Sequence, residues 1–521
     1  MAEDSVSASA KGATFMVLLQ IGSRAITFAL NQVLLRFLSP QLLGVAVQLE
    51  LYIISSLYFS RESLRIATQR RSDGGVQAAI NLSYLAIIAG LPIGALLAHL
   101  YLQSNYPDVP YLATALRINQ VTVMIELLGE PGFVAVQQSM LYKTRAAAEA
   151  SAVIVKTLAT AGLVFWGQRQ GLSLGVLPFA AGELAYSTAL TIVYLMQTAP
   201  VARLKKFTLL PKQMQTSTGQ YAFWLFSKPL LYLSASLYLQ TAIKWALTEG
   251  DKILVGVFAT LEDQGMYAVS ANYGGLIARM LFRPIEDSSR NLFAKLCADS
   301  KTTNEADAAT KEADGKPRGP EPKKNKNINQ AATILRDVLR IYSLFSLIAF
   351  ALGPTAAPLL LQLVAGSKWT ASGAGDVLAT YCYCIPLLAI NGVSEAFVSA
   401  TASPAELQRQ SFWMGTFTVG FGVSAYVFLR VLEMGAKGLV LANCVNMGLR
   451  IVFNLNFAMR FFEREGVEWR LQDILPSISA MGFTVIVPSL LARTRVVLGR
   501  HGMVGDLLSV GVVGMLLAAV M

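Results

Sequence analysis

The sequence predicts an all-α, polytopic membrane protein of about fourteen transmembrane helices, organised as two pseudo-symmetric six-helix lobes plus a terminal helix pair. Three observations predict it. Of 521 residues, 54% are hydrophobic and only 14% are charged, against roughly 25% charged in soluble domains. The apolar residues come in runs near the roughly 20 that a helix needs to cross a bilayer core. The strict alternation of a membrane-barrel strand is absent. Helices remain, because backbone in lipid must satisfy its own hydrogen bonds.

In chain order, the spans read as 13–38, 42–59, 77–102, 111–137, 146–167, 173–197, 232–258, 264–297, 331–364, 374–400, 407–430, 434–459, 472–493 and 502–521. The first apolar stretch is too long for a signal-peptide core and follows Glu3 and Asp4, so it reads as a retained span. The seventh, eighth and tenth contain Gly, Pro or charge that a lipid-facing helix would not tolerate. The expected domains are an N-terminal lobe at 1–200, a cytosolic connecting loop at 201–231, a C-terminal lobe at 232–460 and a terminal pair at 461–521. Residues 298–330 read as a disordered cytosolic loop, because their Lys, Asp, Pro and Asn content cannot bury a core.

Charge then orients the chain. The net charge is +11 and is dispersed over inter-span segments, which speaks against nucleic-acid binding. One set of segments is rich: Arg61, Arg65, Arg70 and Arg71; Lys143 and Arg145; Arg203, Lys205, Lys206 and Lys212; Lys316 to Lys326; Arg460, Arg464 and Arg470. The opposite set holds Arg169, Lys368, Arg493, Arg495 and Arg500. The positive-inside rule places the rich set and both termini in the cytosol.

Three short matches recur in order. Phe37-Leu-Ser-Pro-Gln-Leu-Leu-Gly44 compares with Phe258-Ala-Thr-Leu-Glu-Asp-Gln-Gly265, each followed by a basic-acidic cluster: Arg61 to Arg65 in one case, Arg283 to Arg290 in the other. Glu130-Pro-Gly-Phe-Val134 compares with Glu395-Ala-Phe-Val398. Leu190-Thr-Ile-Val-Tyr194 compares with Leu449-Arg-Ile-Val-Phe453. An even number of spans per repeat predicts halves related by an axis along the membrane normal, with a hydrated cavity between them.

Polar stripes at helical spacing add to this expectation. They are Gln20, Arg24, Thr27 and Asn31; Asn119, Thr122, Glu126 and Glu130; Gln240, Lys244, Thr248 and Asp251; Arg279, Arg283, Glu286 and Arg290; and Asn443, Asn446, Arg450 and Asn454. An ionisable group at mid-bilayer costs about 2.5–3.5 kcal/mol on insertion scales, so these groups face protein or water. They serve either as interhelical glue or as a site. Recurrent Arg favours an anionic ligand, since its planar fork suits phosphate.

Other classes find no support. No phosphate-binding loop of the Walker type is present. Two histidines cannot supply a metal site or a nucleophile triad. His99 reads as a satisfied structural residue. The four cysteines, Cys297, Cys382, Cys384 and Cys444, read as core packing, with Cys382 and Cys384 on different helix faces. No cofactor and no enzymatic activity are expected.

The runs Leu19-Gln-Ile-Gly-Ser-Arg-Ala-Ile-Thr-Phe28, Leu35-Arg-Phe-Leu-Ser-Pro40, Tyr58-Phe-Ser-Arg-Glu-Ser-Leu-Arg65, Glu130-Pro, Asn272-Tyr-Gly-Gly-Leu-Ile-Ala-Arg279 and Leu281-Phe-Arg-Pro-Ile-Glu286 resemble the Rft family of the endoplasmic reticulum. The resemblance implies the multidrug/oligosaccharidyl-lipid/polysaccharide exporter fold. It implies translocation of a dolichol-pyrophosphate-linked oligosaccharide of five mannoses and two N-acetylglucosamines from cytosol to lumen, for N-glycosylation. Expected partners are that glycolipid, the reticulum's lipids and pathway glycosyltransferases. The residues expected to bind substrate are Arg24, Arg36, Arg61, Arg65, Arg283, Arg290 and Arg450, with Lys156, Glu286 and Glu130 as supporting polar groups. Two alternatives stay open: a non-transporting scaffold of the dolichol pathway, and a cation-coupled exporter of small molecules.

Overall fold

The computed structural model describes residues 32, 34–70, 74–103, 109–214, 221–297, 322–498 and 502–520. Among these the chain is helical apart from short turns and one two-residue hairpin, Tyr221–Ala222 with Phe226–Ser227. Eight described helices are long and apolar enough to cross a membrane. The chain divides into two compact units, Met1–Gly250 and Asp251–Met521.

In the first unit, α1 (Pro40–Arg70) is followed by α2 (Gly75–Gln103), α3 (Leu112–Leu128), α4 (Glu130–Gln138), α5 (Tyr142–Arg169) and α6 (Leu177–Lys205). Helix α1 begins where Ser39 accepts a hydrogen bond from the Leu42 N–H, with Pro40 as the first helical residue. Both are helix-start signals. The fourth span is broken: α3 ends at Gly129 and α4 restarts at Glu130-Pro131. A side chain at Gly129 would meet Thr191 Oγ1 at 2.9 Å, so this break lies hard against α6. The core of the unit joins α2, α4, α5 and α6 through residues such as Ile80, Phe133, Ala148, Ala152 and Tyr194.

The segment after α6 is tied back to α2 by Gln77, Asn81 and Tyr84. Asn81, fully buried, donates to the carbonyls of Lys212 (2.7 Å) and Leu225 (2.9 Å) and accepts from the Lys212 N–H (3.0 Å). Helix α7 (Lys228–Phe258) then crosses the boundary between the units.

The second unit contains α8 (Leu261–Ile277), which runs through a π-helical turn, Ala278–Phe282, into α9 (283–297). Thr260 caps α8 by accepting from the Asp263 N–H. Ser39 and Thr260 are aligned positions of the internal repeat, so both halves start their second helix with the same device. Helix α10 (Pro322–Ala365) begins inside the 298–330 segment, of which 298–321 lies outside the described residues. A short turn, α11 (Ser367–Ala371), leads to α12 (Ala374–Tyr381) and α13 (Cys384–Thr401). Helix α14 (Pro404–Tyr426) opens on a capping box of Ser403 and Glu406. It is followed by α15 (Gly435–Arg464), α16 (Ile478–Leu498) and α17 (Gly502–Val520). The terminal pair packs on α10 through Ala351, Val487, Leu491, Val513 and Leu517.

Two expectations need correction. Arg61 and Arg65 do not lie in a loop. The apolar run of the second span stops at residue 59, but the helix continues to Arg70, because neighbouring helices supply carboxylates for both arginines. The cysteines are not all simple core packing either. Cys384 on α13 and Cys444 on α15 form a disulfide with Cα atoms 5.4 Å apart, whereas Cys297 and Cys382 are free and buried. Sixty residues separate the bonded pair, and only the crossing of the two helices brings them together.

Candidate functional site

In the first unit, α1 presents Arg61 and Arg65 one helical turn apart, on the face toward the α3–α4 break. There they meet two carboxylates that are almost fully buried, Glu126 (8% exposed) and Glu130 (2%). Arg61 Nη1 lies 3.0 Å from Glu126 and 2.9 Å from Glu130. Arg65 forks onto Glu130, with Nε at 2.9 Å from Oε2 and Nη2 on Oε1. The Arg65 guanidinium also lies over the Phe133 ring, 3.7 Å from its centroid. Ser187 on α6 donates to the remaining oxygen of Glu126 at 3.0 Å. A second pair, Lys156 on α5 with Glu183 on α6, stands nearby.

These pairs border a cavity of about 640 Å³ within the unit. Arg61, Arg65 and Lys156 line it, but so do Glu50, Glu62, Glu126 and Glu183. With Glu130 behind them, carboxylates outnumber cations. Glu50 and Glu62 have no hydrogen-bond or ion-pair partner among the described residues. Asn119, 1% exposed, also lines the cavity, and neither of its amide atoms has a partner there. A buried amide without a partner costs about 1–3 kcal/mol, so its groups favour water or a ligand in this space. The cavity is therefore polar and slightly acidic, with its arginines already neutralised.

The second unit repeats the design with a different outcome. Arg279, Arg283, Glu286, Asp287 and Arg290, all from the π-turn and α9, line a cavity of about 400 Å³ against Asn391, Gly392 and Glu395 of α13. Glu395 is the repeat counterpart of Glu130. Here, however, no arginine clamps it. Arg279 donates to the Asn272 carbonyl (2.8 Å) and Oδ1 (3.0 Å), and Arg290 lies 3.6 Å from Asp287. Arg283 is exposed and has no hydrogen-bond or ion-pair partner among the described residues. Glu286 is seated in a notch at Gly392, where an added Cβ would overlap its carboxylate. A phosphate entering this cavity would find a guanidinium fork that need not first release a carboxylate.

The remaining expected residues separate. Arg24 and the stripe of the first span lie outside the described residues. Arg36 is exposed in the turn before α1 and lines neither cavity. Arg450 on α15 is half-buried, with its Nε lacking a partner among the described residues, and also lines neither. Its stripe neighbours Asn446 and Asn454 are buried in the bundle, where Asn446 donates to Asp251 at 3.1 Å. His99 is exposed and shares a hydrogen bond with Gln103. Sequence reasoning missed Glu183 as the partner of Lys156. An acid inside the sixth apolar run was the available signal, since a membrane-embedded Lys requires such a partner. It also missed Glu126 and Glu130 as the joint counter-ions of Arg61 and Arg65.

Known proteins agree with this architecture. The lipid II flippase MurJ, in an inward closed conformation, matches 97% of this chain and 98% of its own with a TM-score of 0.64 at 12% identity. An inward-facing MATE family transporter of the MOP superfamily gives 0.52 over 84% of this chain and 95% of its own at 13% identity. At such identities the likeness shows the fold. Among curated proteins, the Man(5)GlcNAc(2)-PP-dolichol translocation protein RFT1 of Yarrowia lipolytica is 32% identical, over 94% of this chain and 76% of its own. The mouse protein of the same name is 32% identical, over 87% and 82%, and that of Saccharomyces cerevisiae 29%, over 87% and 83%. The family model described as Rft protein matches residues 8–521, and with it and these relatives running through both units, the chain belongs to the Rft family.

Proposed function

We propose that this chain translocates dolichol-pyrophosphate-linked oligosaccharide, the five-mannose intermediate, from the cytosolic to the luminal leaflet of the endoplasmic reticulum for N-glycosylation. The observation that carries the reading is the Arg279–Arg283–Arg290 cavity, in a membrane protein whose relatives bear that activity in their names. Arg283 makes the bidentate contact to pyrophosphate, which planar guanidinium groups favour. Arg290 and Arg279 complete the cradle, and Glu286 holds the helix face in register. The oligosaccharide stays in the wet cavity while the polyprenyl tail stays in apolar surroundings. We read the chain as non-catalytic, with both termini cytosolic.

The test is translocation of the glycolipid in vesicles containing the purified chain. Wild type accelerates transfer over protein-free vesicles, and Arg283→Ala removes most of that acceleration at unchanged reconstitution. Wild type at the protein-free rate, with pathway glycosyltransferases co-purifying, would instead favour the scaffold reading. One observation favours a second role for the first unit. Its cavity carries more carboxylates than cations, including Glu50 and Glu62, and so suits a coupling cation rather than a phosphate. Translocation independent of sodium and of a pH gradient would remove that role.

A further inference from the structure

The helix that carries the arginines has a second face. On it, Ile277, Leu281 and Phe282 border a separate cavity of about 440 Å³ between α8, α10 and the α12–α13 junction. Its walls are almost entirely apolar. They include Ile348, Leu360 and Leu361 of α10, and Leu378 and Ile385 from α12 and α13. The floor is made of small residues, Ala349, Gly353, Ala356 and Ala357, which form one stripe along α10. Gly274 and Gly353 allow the close approach that shapes it: a Cβ at Gly274 would overlap the Tyr381 ring, and one at Gly353 would reach Cys382 at 2.7 Å. The rim is open, with Ile277, Leu281, Phe345 and Leu360 each about half exposed.

The arginine cavity and the apolar groove thus lie back to back. Residues 278, 279, 283 and 286 line the arginine cavity, and residues 277, 281 and 282 line the apolar groove. The π-turn at Ala278–Phe282 divides them, and such insertions recur at functional sites. Only the thickness of one helix, about 10–12 Å, separates the two. Resting on the reading above, we propose that the groove holds the isoprenoid chain of the lipid whose pyrophosphate lies on the arginines. An isoprenoid carries a methyl branch on every fourth main-chain carbon. Those branches need recesses, and the small-residue stripe offers them at a repeat set by the helical turn of about 5.4 Å. A tail entering from lipid gains nothing from leaving water, so selectivity comes from this contact fit.

The experiment uses the full chain in phosphatidylcholine nanodiscs and a polyprenyl-pyrophosphate chitobiose with a diazirine in the isoprene units nearest the pyrophosphate. Light-dependent labelling falls on peptides covering 273–282 and 345–361. Unlabelled probe competes it away, and diacyl phosphatidic acid in excess does not. The groove-filling pair Ala349→Trp and Ala356→Trp lowers labelling about tenfold, equivalent to 1.4 kcal/mol, while a short-tailed analogue with the same headgroup binds as to wild type. Labelling spread over the lipid-facing surface of wild type overturns the groove whatever the variants do. Equal competition by phosphatidic acid overturns it too, because the site would then be for ordinary acyl chains. If the short-tailed analogue binds but the long-tailed probe labels elsewhere, the groove alone fails. If neither chain length binds, the glycolipid reading falls with it.

Discussion

Replacing Glu130 with Ala tests whether the charges of the first unit are a closed structural network. Glu130 is 2% exposed and, among the described residues, is the only carboxylate bonded to both Arg61 and Arg65. The arginine side chains are themselves only 16% and 18% exposed. Among the described residues, removing the acid leaves the Arg65 guanidinium over the Phe133 ring with no carboxylate and Arg61 with Glu126 alone. Breaking a buried pair from one side costs about 3–5 kcal/mol, because the orphaned charge stays desolvated. At about 2–4 °C per kcal/mol for a unit of this size, the unfolding midpoint drops by roughly 6–20 °C. The assay is loss of monodisperse protein on heating in detergent, read by size exclusion. The internal control is Glu406→Ala, whose partner Arg464 is 57% exposed. Exposed pairs contribute about 0–1 kcal/mol, although this change also loosens the start of α14. A Glu130→Ala shift no larger than the control would refute the argument. So would a combined variant with Arg61, Arg65, Glu126 and Glu130 all made apolar that is less stable than Glu130→Ala, since removing a complete network is far milder than orphaning one part.

Three further outcomes follow from single contacts. Asn81→Leu deletes its three hydrogen bonds to the segment after α6, besides the one it accepts from Gln77, and strands the Lys212 N–H and two carbonyls. At about 1 kcal/mol per bond it lowers stability by about 3 kcal/mol, and limited proteolysis between 206 and 227 becomes faster than in wild type. Gly182→Val forces a side chain into Thr160 and the Lys156 carbonyl, which an added Cβ would meet at 2.0 and 3.2 Å. Overpacking of this kind costs about 1–3 kcal/mol, visible as a lowered midpoint, whereas Gly162→Val in open space changes little. Ser403→Ala removes half of the capping box of α14 and costs about 1 kcal/mol, with Ser403→Thr restoring most of it.

Much of the fold was legible because lipid imposes a single period and length on apolar helices. The repeat was legible through its helix starts, as Ser39 and Thr260 show. The polar stripe of the fourth span was read correctly as inward-facing: Asn119, Thr122, Glu126 and Glu130 are all buried. Pairing was not legible. Arg61 and Glu130 are 69 positions apart, and Cys384 and Cys444 are 60 apart. Helical periodicity fixes which face a residue occupies but not which helix comes to meet it. Hydropathy also misplaced the end of α1, since a window average cannot know that an arginine's charge is matched from another helix.

Matching by a carboxylate from another helix decides which arginines can serve a ligand. Both halves set a basic cluster on their second helix against an acid on the fourth, Glu130 in one and Glu395 in the other. In the first unit the acid is bonded to two arginines, and the net field of the cavity is acidic. In the second, Glu395 accepts from Asn391 at 3.2 Å, and of the arginines lining the cavity Arg283 has no carboxylate partner among the described residues. An anion approaching the first site must displace a carboxylate held by charge-assisted bonds, each worth about 1.5–3 kcal/mol. At the second it need not. The two copies of the repeat thus part at one acid: Glu130 braces Arg61 and Arg65, whereas Glu395 accepts from Asn391 and leaves Arg283 without a carboxylate partner among the described residues.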